Sequence, residues 1–133
     1  MFPEAWLWAT IEAATGHKAY PANVPRENTP PPYVVFSRER TTRDRHLMNN
    51  GGVPVASIVV VCVSLKYLDA KSIANTVRRA VDSARDVPIP GGGMIESVAL
   101  VDEADGEPVQ YGGDDAPLYS VVLSFDVRFT EEV

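Results

Sequence analysis

The sequence predicts an α+β fold, an antiparallel four-stranded sheet with two helices packed on one face, in the order α-β-β-α-β-β. Two segments carry apolar residues at helical spacing, and the segments between them are rich in β-branched and aromatic residues. Short, hairpin-like links between neighbouring strands favour antiparallel pairing. The length of 133 residues and the hydrophobic fraction of 45% suit a single domain over residues 1–133.

The first element is predicted as a helix over residues 4–15. Gly16 provides a natural helix end. The apolar residues of this segment recur at helical spacing: Leu7, Ile11 and Ala14. Residues 17–32 contain five prolines, which block both helical and ladder hydrogen bonds, so an irregular connector is predicted there.

The next two elements are predicted as strands joined by a long hairpin. The first strand covers residues 33–41, and the second runs from 53 to about 67. Between them lies a polar tip over residues 42–52, which ends in Asn and Gly residues typical of turns. The hairpin carries a set of basic side chains: Arg38, Arg40, Arg43, Arg45 and His46.

A second helix is predicted over residues 70–85, with Asp69 as its N-cap. One stripe of this segment is apolar and comprises Ile73, Val77, Ala80, Val81 and Ala84. Pro88 and Pro90 are expected to stop the helix. The glycine run 91–93 is expected to form a mobile link to the next strand.

The third strand is predicted over residues 94–101, and an acidic segment over 102–115 follows it as a loop. The last strand has the clearest alternation. Apolar residues occupy every second position: Tyr119, Val121, Leu123, Phe125, Val127 and Phe129. One face of this strand must therefore be core, whereas the other is mixed in polarity.

Composition and charge exclude several classes of protein. The net charge is −6, which argues against a dedicated nucleic-acid binder. The single cysteine, Cys62, lies in an apolar run and is expected to be buried, which fits synthesis in a reducing cytoplasm. No apolar stretch reaches the ~18 residues that span a membrane, and the first residues do not resemble a signal peptide, so a soluble, unsecreted product is expected.

No catalytic, cofactor-binding or metal-binding residues are predicted. His17 and His46 lie far apart in the sequence and form no metal-ligand spacing. The glycine run 91–93 follows a predicted helix and precedes a strand, the reverse of a phosphate loop. The acidic segment 102–115 does not match the calcium loop of an EF-hand.

The charges are instead divided between two loops, which predicts a protein interface. The basic hairpin of one subunit could meet an acidic loop of the next and close a ring, although a solvated hairpin without a partner remains an alternative. The acidic residues assigned to this interface are Asp102, Glu103, Asp105, Asp114 and Asp115.

Across nearly its whole length the chain resembles the tail-completion, or tail-terminator, proteins of long-tailed bacteriophages and prophages. The resemblance rests on the short first helix, the connector with Tyr20-Pro21 and Val24-Pro25, and the strand entry Pro32-Tyr33-Val34-Val35-Phe36. It continues through the helix Lys71 to Arg85 and the closing strand Tyr119 to Val127. The long basic hairpin and the Pro-Gly link at 88–93 depart from the family pattern.

The resemblance implies a non-enzymatic virion protein that forms a ring, typically a hexamer, at the head-proximal end of the tail tube. Such a ring ends tube polymerisation, contacts the tail-tube protein and the head or neck connector proteins, and lets DNA pass through its lumen. It also implies synthesis in the host bacterial cytoplasm, with no cofactor and no membrane association. Two alternatives stay open: another neck component (a head–tail joining or stopper protein), or a small-ligand-binding or enzymatic α+β domain.

Overall fold

The computed structural model describes residues 3–21, 32–43, 54–82, 84–106 and 119–130, with the backbone alone for Arg43. Over these residues the chain forms two helices and six strands. In chain order they are α1 (Pro3–Thr15), β1 (Ala19–Pro21), β2 (Tyr33–Arg43), β3 (Pro54–Ser64), α2 (Tyr67–Val81), β4 (Arg85–Pro88), β5 (Met94–Asp105) and β6 (Tyr119–Thr130).

The six strands form one curled, mixed sheet with the order β1-β2-β3-β6-β5-β4. β1 lies parallel to β2, and every other neighbouring pair is antiparallel. The predicted four-stranded antiparallel sheet in the order α-β-β-α-β-β was therefore wrong. The two additional strands are both short, and each covers only part of the longer strand beside it.

The predicted connector over residues 17–32 contains strand β1. Ala19, Tyr20 and Pro21 pair with Val34, Val35 and Phe36. Proline is tolerated here because β1 is an edge strand, where one side of the backbone needs no ladder partner. The rest of the connector, from residue 22 to 31, lies outside the described residues.

The predicted link at residues 88–93 is an ordered turn between β4 and β5. The amide of Ile89 donates to the carbonyl of Gly93 over 3.1 Å, and the amide of Gly92 donates to the carbonyl of Ile89 over 3.0 Å. Gly91, Gly92 and Gly93 all have positive φ, which only glycine adopts at little cost. The glycine run therefore builds a hairpin turn between two paired strands, whereas the sequence predicted a link from the helix to the next strand.

Helix α2 begins and ends earlier than predicted. It starts at Tyr67 and ends at Val81, so Asp69 lies in the first turn and is not the N-cap. After the helix, Asp82 accepts a hydrogen bond from the amide of Leu100 on β5 (3.1 Å). This contact turns the chain toward the sheet and allows β4 to begin at Arg85.

Both helices share one hydrophobic core with one face of the sheet. The predicted alternation of β6 is confirmed, because Val121, Leu123, Phe125, Val127 and Phe129 are all buried. The first four lie opposite buried residues of the neighbouring strand β3, for example Phe125 opposite Ile58. The helices contribute Trp6, Leu7 and Ile11 from α1, and Ala70, Ile73, Ala74, Val77 and Val81 from α2.

Strands β2 and β3 form the predicted hairpin, and its paired part is longer than expected. Thr42 pairs with Val55 and Arg43 with Pro54, so the ladder includes residues that were assigned to the hairpin tip. Residues 44–53, which hold the rest of the tip, lie outside the described residues. Of the five basic residues predicted for an interface, Arg38, Arg40 and Arg43 belong to β2.

Candidate functional site

The sheet face away from the helices is covered by no other element of the described chain. It combines half-buried valines with small hydroxyl residues, namely Val35, Val59, Val61, Val122, Ser37, Ser57 and Ser124. We call this surface the outer face. β6 adds two exposed charged residues, Asp126 and Arg128, so the composition of the outer face lies between that of a protein core and that of a solvated surface. This is the mixed face that the alternation of β6 predicts.

Arg38, one of the predicted interface residues, is engaged inside its own subunit. It lies on the core side of β2, where its guanidinium forms an ion pair with Glu4 at the start of α1. It also donates to Oγ1 of Thr41 over 2.9 Å and lies 5.4 Å from the ring centroid of Phe129. These contacts fasten α1 onto the sheet, so much of the hydrogen-bonding capacity of Arg38 is already used.

Arg40 points the other way because the register of β2 shifts between Arg38 and Arg40. The shift places Arg40 opposite Ser57, on the outer face, where its side chain is exposed. Arg43 ends β2, and its backbone pairs with Pro54. Arg45 and His46 of the predicted basic set lie outside the described residues.

The first acidic residues of the predicted interface belong to a strand and not to a loop. β5 continues to Asp105, and Asp102, Glu103 and Asp105 all pair with β6. The predicted end of this strand at residue 101 was therefore wrong. A register shift between Leu100 and Asp102 places Asp102 opposite Ser124, on the outer face. Asp114 and Asp115 lie outside the described residues.

Asp105 is held by two residues of α2. It accepts a hydrogen bond from the hydroxyl of Tyr67 (2.6 Å) and forms an ion pair with Nζ of Lys71 (2.7 Å). The hydrogen bonds from Lys71 and Tyr67 lower the pKa of Asp105, and the contact with Asp105 raises the pKa of both donors. This Tyr67–Lys71–Asp105 cluster fixes the end of β5 against the first turn of α2.

The described members of the basic and acidic sets lie on different strands of the sheet. Arg38, Arg40 and Arg43 belong to β2, Asp102, Glu103 and Asp105 belong to β5, and β3 and β6 lie between these two strands. At ~4.8 Å per strand, roughly 14 Å separates the two strands, which is too far for contact within one subunit. Any pairing between the exposed members, Arg40 with Asp102 or Glu103, must therefore involve a second molecule.

Sequence reasoning missed a group of exposed apolar side chains. Val101 is 61% exposed at the register shift of β5, and Leu68 is 77% exposed in the first turn of α2. Leu65 and Tyr67 lie close to Leu68 along the chain and are also exposed. The predicted second strand ran to about Tyr67, and alternate residues of a strand are expected to be buried, so the exposure of Leu65 and Tyr67 was not expected.

The described residues offer little chemistry for catalysis. Among them, no group of three or more His, Cys, Asp or Glu side chains could hold a metal ion. Burial raises the pKa of the Cys62 thiol to about 12, so the thiolate that would act as a nucleophile is scarce at neutral pH. Neither helix of the described chain is long and apolar enough to cross a bilayer.

Comparison with known proteins gives a fold relationship. No family model matches the sequence, and no curated protein matches it. The fold is similar to that of a chain in a solved structure titled "Virion of native gene transfer agent (GTA) particle". The match has a TM-score of 0.66 and 20% sequence identity, and it covers 91% of this chain and 84% of that chain. At this identity, the similarity establishes a shared fold.

Proposed function

We propose that this protein is a non-enzymatic structural subunit of a phage-like particle, and specifically a tail terminator. In this role it forms a ring at the head-proximal end of a tail tube, ends tube polymerisation and joins the tail to the head or neck. The observation that carries the proposal is the fold shared with a chain of a gene transfer agent virion over 91% of this chain. The resemblance of the sequence to tail-terminator proteins supports the same role independently.

The surfaces of the molecule suit an assembly subunit. The outer face, the exposed patch at Leu65 and Leu68, and the two charged strands are all available for contact with other proteins. The outer face combines half-buried valines and serines with exposed charged residues, a mixture found where proteins contact one another. The net charge of −6 suits a ring whose lumen lets DNA pass without binding it.

Tube growth in the presence of the purified protein tests the proposal. A phage tail-tube protein is polymerised with and without this chain, and tube lengths and ends are examined by electron microscopy. A terminator should bind one end of each tube and stop elongation there. An unrelated acidic protein of similar size is the control. Tubes that grow to the same length in both samples, without the protein bound at their ends, would contradict the terminator role.

The same experiment separates the closest alternative. A head–tail joining or stopper protein should bind purified connector or neck complexes but leave tube growth unchanged. Removal of the gene extends the comparison into the host cell. Loss of a terminator should give overlong tails that lack heads, whereas loss of a joining protein should give tails of normal length beside separate heads.

A further inference from the structure

Among the described residues, β2 and β5 are each paired along only part of the edge that faces away from the centre of the sheet. On one side, β1 pairs with β2 only at Val34–Phe36, so the stretch from Ser37 to Arg43 has no described partner on its outer edge. On the other side, β4 pairs with β5 only as far as Ser97, and Asp82 accepts a hydrogen bond from the amide of Leu100. Among the described residues, the stretch from Val101 to Asp105 therefore has no partner on its outer edge. We call these stretches the β2 edge and the β5 edge. Unpaired strand edges are templates for pairing with another chain.

We propose that copies of this chain join head to tail, with the β2 edge of one subunit pairing with the β5 edge of the next. The sheet would then continue from subunit to subunit around a ring. The inference rests on the proposed function for its closed ring, but the contact itself is argued from the two edges. It names a second copy of this chain as the partner.

Strand direction favours this contact. Successive antiparallel pairing of β2 with β3, β3 with β6, and β6 with β5 makes β5 run opposite to β2. A copy related by rotation about a ring axis keeps its strand directions relative to that axis. Its β2 therefore meets the neighbouring β5 in antiparallel orientation, the more stable type of pairing.

The two edges are also stepped in a complementary way. β1 covers the start of β2, at the end of the sheet where β5 finishes, and β4 covers the start of β5, at the end where the β2–β3 ladder approaches the hairpin tip. If the two edges pair, β4 and the β2 strand of the next subunit lie end to end, both beside β5. In the same way, the β1 strand of the next subunit lies end to end with β5. Such a stagger is what a sheet needs when it closes around an axis with tilted strands.

The charges favour pairing of a β2 edge with a β5 edge over pairing of two identical edges. The β2 edge, Ser-Arg-Glu-Arg-Thr-Thr-Arg, carries three arginines and one glutamate, whereas the β5 edge, Val-Asp-Glu-Ala-Asp, carries three acids and no base. Pairing two β5 edges would place acid beside acid, and pairing two β2 edges would bring arginines together. Arg40 and Asp102 both lie on the outer face, so their side chains are on the same side of a joined sheet. The proposed register sets Arg40 opposite Asp102.

Charge reversal with rescue tests the contact. Ring mass is measured by light scattering over a range of protein and salt concentrations. Arg40→Glu alone and Asp102→Arg alone should each raise the concentration for half-maximal assembly by about tenfold, since each places like charges across the joint. The two substitutions combined in one chain should restore assembly. Arg79 is an exposed residue on α2, away from both edges. Arg79→Glu makes the same charge change as Arg40→Glu, so it is the matched control and should leave assembly unchanged.

Cross-linking provides a readout that does not depend on electrostatics. Cys62 is buried, so a cysteine placed at Arg40 or Asp102 is the reactive thiol of the variant. A mixture of Arg40→Cys and Asp102→Cys proteins should give a linked dimer with a short thiol cross-linker. A mixture of Arg79→Cys and Asp102→Cys proteins should not.

The outcomes separate this inference from the proposed function. Rings that survive both reversals, rings that cross-link equally through Arg79, or a protein that stays monomeric at every concentration in low salt would each overturn the edge contact. If the edge contact holds but the rings ignore tail-tube ends, the interface stands and the terminator role fails. If the protein caps tubes and the reversals have no effect, the function stands and the edge contact fails.

Discussion

Gly93 provides the sharpest test of the turn between β4 and β5. Its φ is +88°, and its carbonyl accepts the amide of Ile89. A Cβ added at this position would lie 2.5 Å from the backbone carbonyl oxygen of Thr130, at the end of β6. Real Cβ atoms essentially never approach so closely, and a backbone oxygen in a paired strand cannot rotate away. Gly93→Ala therefore forces the turn or the end of β6 to move.

The free-energy cost of Gly93→Ala has two parts, and the same substitution at a second glycine separates them. A non-glycine residue in the left-handed region costs roughly 1–2 kcal/mol, and forcing atoms into a filled site costs about 1–3 kcal/mol more. Gly16, at the end of α1, has a φ of +72° and nothing within 4 Å of its added Cβ. We expect Gly16→Ala to cost only the first part. Gly93→Ala should cost about 2–5 kcal/mol, a large share of the stability of a small protein.

Urea unfolding followed by circular dichroism measures both variants. Gly93→Ala should lower the midpoint clearly more than Gly16→Ala, with similar slopes if both unfold in two states. Equal losses in the two variants would refute the reasoning, because they would mean that the close approach to Thr130 contributes nothing. A wild-type midpoint for Gly93→Ala would further show that residues 91–93 are the mobile link that the sequence suggested.

Three further predictions concern single side chains. Cys62 should resist thiol reagents in the native protein and react once urea unfolds it, because burial raises its pKa to about 12; rapid native labelling would contradict this. A double-mutant cycle on Arg38→Ala and Glu4→Ala should give a coupling of about 1 kcal/mol in unfolding experiments, and no coupling would mean that the pair does not fasten α1. Asp105→Asn should destabilise the protein near neutral pH. Because Lys71 and Tyr67 lower the pKa of Asp105 from its ordinary 3.8, this difference in melting temperature should vanish as the pH falls through the lowered pKa, and a difference that grows in acid would have the wrong sign.

The sequence was most informative where burial repeats strictly along an element. β6 alternates without interruption and was predicted residue by residue, and Ile73 and Val77 of α2 were placed correctly in the core. β1 and β4 carry no such signal, because each is too short to show a period and each contains or borders prolines. Their pairing is decided by the strands beside them, which a local pattern does not encode.

The acidic segment shows how a register shift hides a strand. Val101 bulges out between Leu100 and Asp102, so the alternation of β5 changes phase at that point. Beyond the shift, Asp102 and Glu103 look like loop residues in sequence although both stay paired with β6. Their exposure follows from their position at the side of the sheet, where the neighbouring β4 has already ended.

The charge pattern predicts an interface but does not show which of its residues are exposed. Arg38 and Asp105, which look equivalent to their neighbours in sequence, are each turned toward a helix and neutralised there. Arg40 and Asp102 are left exposed on the outer face by the two register shifts. On each side of the sheet, one charged residue (Arg38 or Asp105) thus contacts a helix of its own subunit, and another (Arg40 or Asp102) is exposed. Since exposed ion pairs are screened by salt and the partly buried Arg38–Glu4 pair much less so, raising the ionic strength should separate subunits at concentrations where each subunit remains folded.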